Sequence, residues 1–317
     1  MRMSAWIRQH IAALRALLVL TVITGIIYPA VVLGVSQLPG LKDKADGSLI
    51  TKDGTVVGSS LIGQAFTTPV KDAKGDVTSS TPMLQYFQTR PSNAAWSDGS
   101  VDGYNALNSS FGNMGPESIV DTLDAQDSSK DKLSLLSTVC ARSLAVGQLE
   151  GVDGSRPYCT SGGVGSVLAV MGERDSHGLV THPTQVISVN EACSTDPKNK
   201  TTPFQEAYEG AGVECAKRGE DYSAGQIVPI RGDASADTPV PTDAVTASAS
   251  GLDPQISPEY AAIQVARVAK ARGVSADQIK AVVDAHRSGR ALGFMGEPTV
   301  NVVELNYDLD SKYPFKG

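Results

Sequence analysis

The chain has 317 residues, 41% of them hydrophobic and 19% charged, which is the composition of a globular protein long enough for one or two modest cores. A net charge of -7 and the lack of any basic cluster exclude nucleic acid as a partner, because that binding rests on neutralising phosphates. Such an acidic surface suits a soluble ectodomain, or one that attracts cations weakly.

The chain opens on a run without a charged side chain, ALLVLTVITGIIYPAVVLGV at 16–35. At the helical rise, about 20 residues cover roughly 30 Å, the hydrocarbon thickness of a bilayer. A transmembrane helix at 16–36 is expected, with a cytoplasmic tail at 1–15. The competing reading is a cleaved signal peptide, but signal cores span only about 7 to 15 residues and end on a small-x-small site. No Ala-x-Ala follows this run. Arg2, Arg8 and Arg15 precede it with no acid among them, which favours a cytoplasmic N-terminus and a large domain outside. Thr21, Thr24, Gly25, Tyr28 and Pro29 recur at spacings of three and four, a face on which membrane helices approach one another. The alternative is that Tyr28 and Pro29 only kink a lone anchor.

Residues 47–66 alternate short apolar pairs with Gly, Asp and Ser around an Asp53-Gly54 turn signal, so a small hairpin or meander is expected. Gly58 and Gly63 lack the Gly-Lys-Ser/Thr ending of a phosphate loop. A polar loop is expected at 71–81. Next, MLQYFQTRP at 83–91 brings Tyr86, Phe87 and Arg90 together, a guanidinium beside aromatics that packs locally or docks a partner. Density of Gly, Asn and Ser at 92–117 predicts a long structured loop of the kind that carries function.

The block at 119–231 differs: it holds a helical pattern at 130–149, a Gly-rich turn at 161–166, and all four cysteines, Cys140, Cys159, Cys193 and Cys215. An even, clustered set outside the cytoplasm reads as two disulfides, and zinc is the rival. Zinc favours close Cys-x2-x4-Cys pairs, which these spacings lack. Three pairings are open, and Cys140 with Cys159 and Cys193 with Cys215 are favoured because each closes a short loop. Residues 233–250 read as an Ala/Thr/Pro/Asp linker, so the block reads as an insertion.

Towards the C-terminus, Ser257, Pro258 and Glu259 open a helix that Gly273 closes. Ser275 with Gln278 forms a capping box for a second helix ending near Gly289. Val303, Leu305, Tyr307 and Leu309 alternate, which predicts a strand. The fold class is an α+β ectodomain anchored by one N-terminal transmembrane helix.

No Gly-x-Ser-x-Gly elbow, His-Glu-x-x-His helix or Walker loop is present. His10, His177, His182 and His286 are scattered, so each reads as a surface or capping residue. The residues themselves stop at a membrane-anchored, extracytoplasmic interaction module, with an anchored extracellular hydrolase as the rival from another class and a surface-binding module as a third reading.

Several longer motifs point further: GSSLIGQAF at 58–66, YFQTRPS at 86–92, NALNSSFGNMGP at 105–116, SASGLDPQISPEYAAIQVARVAKARG at 248–273 and GRALGFMGEPTVNVVELN at 289–306. Together with the Tyr28-Pro29 helix, they closely resemble the C subunits of Kdp-type potassium-transporting P-type ATPases. The resemblance covers the chain apart from roughly 119–231, so 37–118 and 240–317 are expected as the family-type α+β ectodomain and 119–239 as a cysteine-bearing insertion and linker outside the usual pattern.

The resemblance implies an accessory subunit of a high-affinity potassium pump, with a channel-like subunit that binds the ion and a P-type subunit that hydrolyses ATP as its partners. ATP and potassium are then handled by the complex, and no cofactor, metal or catalytic residue is expected in this chain. The family is described as a catalytic chaperone that raises the pump's ATP affinity. With the large domain outside the cytoplasm, such an effect reads as linkage through the complex. Gln64, Phe66, Tyr86, Phe87, Arg90 and Gln255 become candidates for the ectodomain's core or docking surface. Gln255 stands where the family usually has His after Asp-Pro, so proton chemistry is not available there.

Overall fold

The computed structural model describes residues 2–92, 104, 117–193 and 202–316, and it divides into two compact units, 1–61 and 62–317. The expected long loop at 92–117, with the motif at 105–116, lies outside the described residues except for Ser92, Tyr104 and Glu117.

In the first unit, α1 (Arg2–Val22), a π turn at Ile23–Ile27 and α2 (Tyr28–Ser36) follow one another in helical backbone. The stretch Ala5–Ser36, 32 residues, is long and apolar enough to cross a membrane. Pro29 explains the π turn. Its missing N–H and its ring disrupt the α pattern around the carbonyl of Gly25, and the backbone widens so that the Tyr28 N–H reaches the Ile23 carbonyl. After α3 (Lys42–Ala45), β1 (Leu49–Lys52) pairs antiparallel with β2 (Thr55–Ser59). Asp53 and Gly54 both take positive φ, 51° and 78°, as a two-residue hairpin turn requires.

The second unit begins with β3 (Thr67–Lys71) and β4 (Val77–Pro82), an antiparallel hairpin where a polar loop was expected. Its strands are largely solvent-facing and carry no apolar alternation, so the pattern is invisible in hydropathy. Asp72 closes the turn, its Oδ1 accepting from the N–H groups of Lys74 and Asp76 at 2.8 and 3.0 Å.

α4 (Leu135–Glu150) starts later than the expected Lys130, because the Ser134 hydroxyl caps it by accepting from Ser137 N at 3.1 Å. Then come β5 (Val167–Met171), β6 (Gln185–Ser188), β7 (Ala207–Tyr208), β8 (Ala211–Cys215) and β9 (Gln226–Pro229), in the sheet order β7-β8-β6-β5-β9. Only β6 and β8 run parallel. Along β5, Val167 and Ala169 join one cluster with Ile187 and Val189, while Leu168 and Val170 join another with Val186. Period-two alternation therefore splits a continuous apolar run between both faces of the sheet.

The linker expected at 233–250 is part of the core. It carries α5 (Thr242–Val245), and Val240, Ala244 and Val245 are buried in the main cluster. Small side chains and prolines hid this, since Ala and Val in a polar run look like spacer until the chain folds back over an apolar face. The remaining elements are β10 (Gln255–Ile256), α6 (Pro258–Arg272), α7 (Ala276–Ala285), β11 (Arg287–Ser288), β12 (Thr299–Asn301) and α8 (Val302–Lys312), with the sheet order β10-β12-β11. Ser257 caps α6 and the Ser275/Gln278 box caps α7. The expected strand at 303–309 is corrected to α8. Asn301 accepts from the N–H groups of Val303 and Glu304, both at 3.1 Å, and Val302, Leu305 and Leu309 then face the core at helical spacing.

The main core gathers α6, α7, α8 and the three-stranded sheet with Phe66 and Phe87. Val139 and Val146 of α4 pack against the same cluster. The cysteine-bearing block is therefore joined to the family-type segments through α4 instead of standing apart.

Candidate functional site

The segment around Tyr86–Arg90 has no regular hydrogen-bonded ladder, so its backbone groups need other partners. Two helix amides supply them. Asn306 of α8 accepts from Phe87 N and donates to Phe87 O, both at 2.9 Å. Gln264 of α6 accepts from Gln88 N at 2.6 Å and donates to Gln88 O at 3.1 Å. Each amide copies the pairing of a neighbouring strand, and both side chains are buried with Phe87.

Arginines close the lattice. Arg267 reaches the carbonyls of Leu84 and Tyr86 at 2.7 and 2.9 Å and pairs through Nε with Glu150 of α4 at 2.9 Å. Burial pushes the Glu150 carboxyl up, against the hydrogen bond from Arg267. Arg272 lies over the Tyr86 ring, 5.2 Å from its centroid, and Nη2 donates to Asp310 Oδ1 at 2.9 Å. The other oxygen of Asp310 accepts from the Tyr86 hydroxyl at 2.9 Å. Burial and that bond push the Tyr86 hydroxyl up to about 12. The Tyr86 and Phe66 rings stand 5.3 Å apart.

Arg90 sits at the edge of the same segment. It pairs with Asp253 at 3.0 Å and donates to the carbonyls of Thr246 and Ala247, so its fork is spent on the chain itself. Gln64 accepts through Oε1 from the Tyr307 hydroxyl at 3.3 Å. Gly63 must be glycine, because a Cβ there would lie 2.6 Å from the Asp253 carbonyl oxygen. Gln255 is exposed on β10 opposite Asn301. The fold thus gathers Gln64, Phe66, Tyr86, Phe87 and Arg90 and leaves Gln255 outside.

In the first unit Thr24 Oγ1 donates to Leu20 O at 2.8 Å, and Gly25 leaves an open notch in which an added Cβ would meet nothing nearer than Thr21 at 4.0 Å. Tyr28 is 67% exposed. Because the π turn carries fewer degrees per residue, Tyr28 and Pro29 are rotated from the stripe that pure α spacing predicts for Thr21, Thr24 and Gly25. The disulfides join Cys140 to Cys159 and Cys193 to Cys215, each with Cα atoms 5.5 Å apart.

Among the described residues no cluster of three or more His, Cys, Asp or Glu is placed to hold a metal. A cavity of about 510 Å³ is lined by Asp121, Lys217, Glu220 and Tyr222, and Asp121 Oδ2 is the buried side-chain atom without a partner among the described residues. The arrangement as a whole recognises backbone and holds surfaces in place.

The KdpC family profile, described as K+-transporting ATPase, c chain, matches residues 10–134 and 220–311. The chain belongs to the KdpC family. It is 36% identical over 304 residues to the potassium-transporting ATPase KdpC subunit of Streptomyces coelicolor, covering 95% of this chain and 92% of that protein. The subunit of the same name from Streptomyces avermitilis is 34% identical over 94% of this chain and 91% of its own length. That from Mycobacterium tuberculosis is 33% identical over 96% of this chain and 98% of its own length. The family profile leaves out 135–219, the stretch that holds all four cysteines, whereas these pairwise alignments span nearly the whole chain.

Within this KdpC-type fold, Gln264, Arg267, Arg272, Asn306, Asp310 and Glu150 were missed by sequence reasoning. One signal was available: Gln264 and Asn306 stand on the largely apolar buried stripes of α6 and α8, and a buried polar residue needs a partner.

Proposed function

We propose that the chain is a non-catalytic accessory subunit of an ATP-driven potassium-uptake pump, held by its N-terminal helix with the tail cytoplasmic and the 62–317 unit outside. The observation that carries this reading is the near full-length similarity to proteins named potassium-transporting ATPase KdpC subunit. The partners are a channel-like subunit that binds potassium and a P-type subunit that hydrolyses ATP, and neither ligand is held by this chain. The amide lattice supports a scaffold role, since the polar groups that a catalyst would turn to substrate are bonded within the fold. Thr21, Thr24 and Gly25, with Tyr28 and Pro29 one π turn on, form the helix surface that meets a partner helix.

Co-purification from membranes tests both parts. The chain is expected to bring two larger membrane proteins with it, and Gly25→Leu, which fills the notch, is expected to lower their yield several-fold while Leu17→Ala leaves it unchanged. Recovery of the chain alone would exclude the pump, and equal recovery with both variants would exclude the Gly25 face. Titration of the purified chain with ATP is expected to give no micromolar binding.

A further inference from the structure

Residues 289–296 form a tight hairpin between β11 and β12, in which Ala291 and Met295 exchange both backbone hydrogen bonds at 2.9 Å. Its tip presents Leu292, Phe294 and Met295 to solvent at 83%, 71% and 53% exposure. Three large apolar side chains together at a tip are an interaction patch, unlike single exposed leucines. The backbone holds them there: Leu292 has φ 54°, a left-handed conformation that a bulky residue adopts only under constraint, and Gly293 follows at 81°. Around the tip the charge inverts. HRSGRALGFMG at 286–296 carries two arginines and no carboxylate in a chain of net charge -7. Arg290 pairs with Glu297 just past the tip, an exposed pair worth little that a lipid phosphate can replace.

We propose that this tip is a lipid contact, with Leu292, Phe294 and Met295 entering the headgroup boundary of the bilayer and Arg287 and Arg290 facing anionic lipid phosphates. Apolar side chains beside arginine are the composition of interfacial anchors. Area separates a bilayer from a protein partner as occupant. A specific protein interface needs about 1,000 Å² or more, which three side chains do not supply, whereas a tip already tethered beside a membrane needs only a second weak anchor. The tether is on the chain: residues 37–61, which hold α3 and the β1–β2 hairpin, join the Ala5–Ser36 span to the 62–317 unit. The proposal rests on the N-terminal helix being membrane-embedded, and it does not depend on which pump subunits surround it.

The test uses the full-length chain in nanodiscs containing phosphatidylglycerol, with Phe294→Cys labelled by an environment-sensitive fluorophore and Ser176→Cys, on an exposed turn, as the reference. The native cysteines are paired, so the label goes to the introduced thiol. Shallow spin-labelled lipids are expected to quench the label at 294 at least about threefold more than at 176, and less so when phosphatidylcholine replaces the anionic lipid. Equal quenching at the two sites overturns the proposal. So does a label at 294 that stays lipid-inaccessible and becomes shielded only when other pump subunits are present, which would make the tip a protein contact. Co-purification reads pump membership separately from either result.

Discussion

Asn306 shows how one side chain does the work of a strand. It satisfies both backbone groups of Phe87 inside the core, where unpaired peptide groups cost about 1–3 kcal/mol each. Asn306→Ala is therefore expected to lower unfolding free energy by about 2–5 kcal/mol in a urea titration. Gln255→Ala, at an exposed position on β10, is expected to change it by no more than about 0.5 kcal/mol. Similar losses for the two would show that the lattice is not a principal support. Arg90 makes the related point that a guanidinium beside aromatics attracts attention as a ligand site, yet here its donors end on Asp253, Thr246 and Ala247.

Among the elements, α4 decides how the cysteine-bearing block relates to the rest. Its valines pack on the main core, Glu150 at its C-terminal end pairs with Arg267 of α6, and Arg142 on its flank donates to the Val245 carbonyl at 3.1 Å. The Cys140–Cys159 bridge ties this helix to the turn before β5 across 19 residues, for which loop entropy predicts about 3 kcal/mol. Replacing both cysteines by serine is expected to lower the melting transition of the 62–317 unit as a whole, read by calorimetry or circular dichroism. A separate early transition with an unmoved main one would mean that α4 unfolds independently of the core.

Across the molecule, carboxylates with depressed values make stability fall in acid. Hydrogen bonds from Arg218 hold the Asp131 carboxyl below its usual range. At Asp308 burial pushes up, but hydrogen bonds from Lys312 and His286 outweigh it and keep the carboxyl low. A lowered folded value gives stability that is present above the unfolded value of about 3.9 and is lost as pH falls through the folded one. Glu150 runs the other way, because burial raises it and its charged form is the disfavoured one. Asp131→Asn is thus expected to be less stable than the native chain at pH 7, with the gap closing below about pH 4. A gap that stays constant to pH 3 would exclude the Asp131–Arg218 linkage.

Composition and local pattern by themselves determined the apolar N-terminal helix, the Asp53-Gly54 hairpin, the caps of α6 and α7, and the family, because each depends on residues close in sequence or on long ordered motifs. The π turn at Ile23–Ile27 was half-legible: Pro29 announces a disturbed helix but not how the backbone relaxes. Only the tertiary structure decided the rest. Val303, Leu305 and Leu309 fit a strand and a helix equally well until the Asn301 cap and the core beneath α8 select the helix. Val240, Ala244 and Val245 read as spacer until the chain lays them on that same core. The amide lattice joins residues more than 170 positions apart, and no local pattern specifies a hydrogen bond whose two ends meet only after the helices have packed.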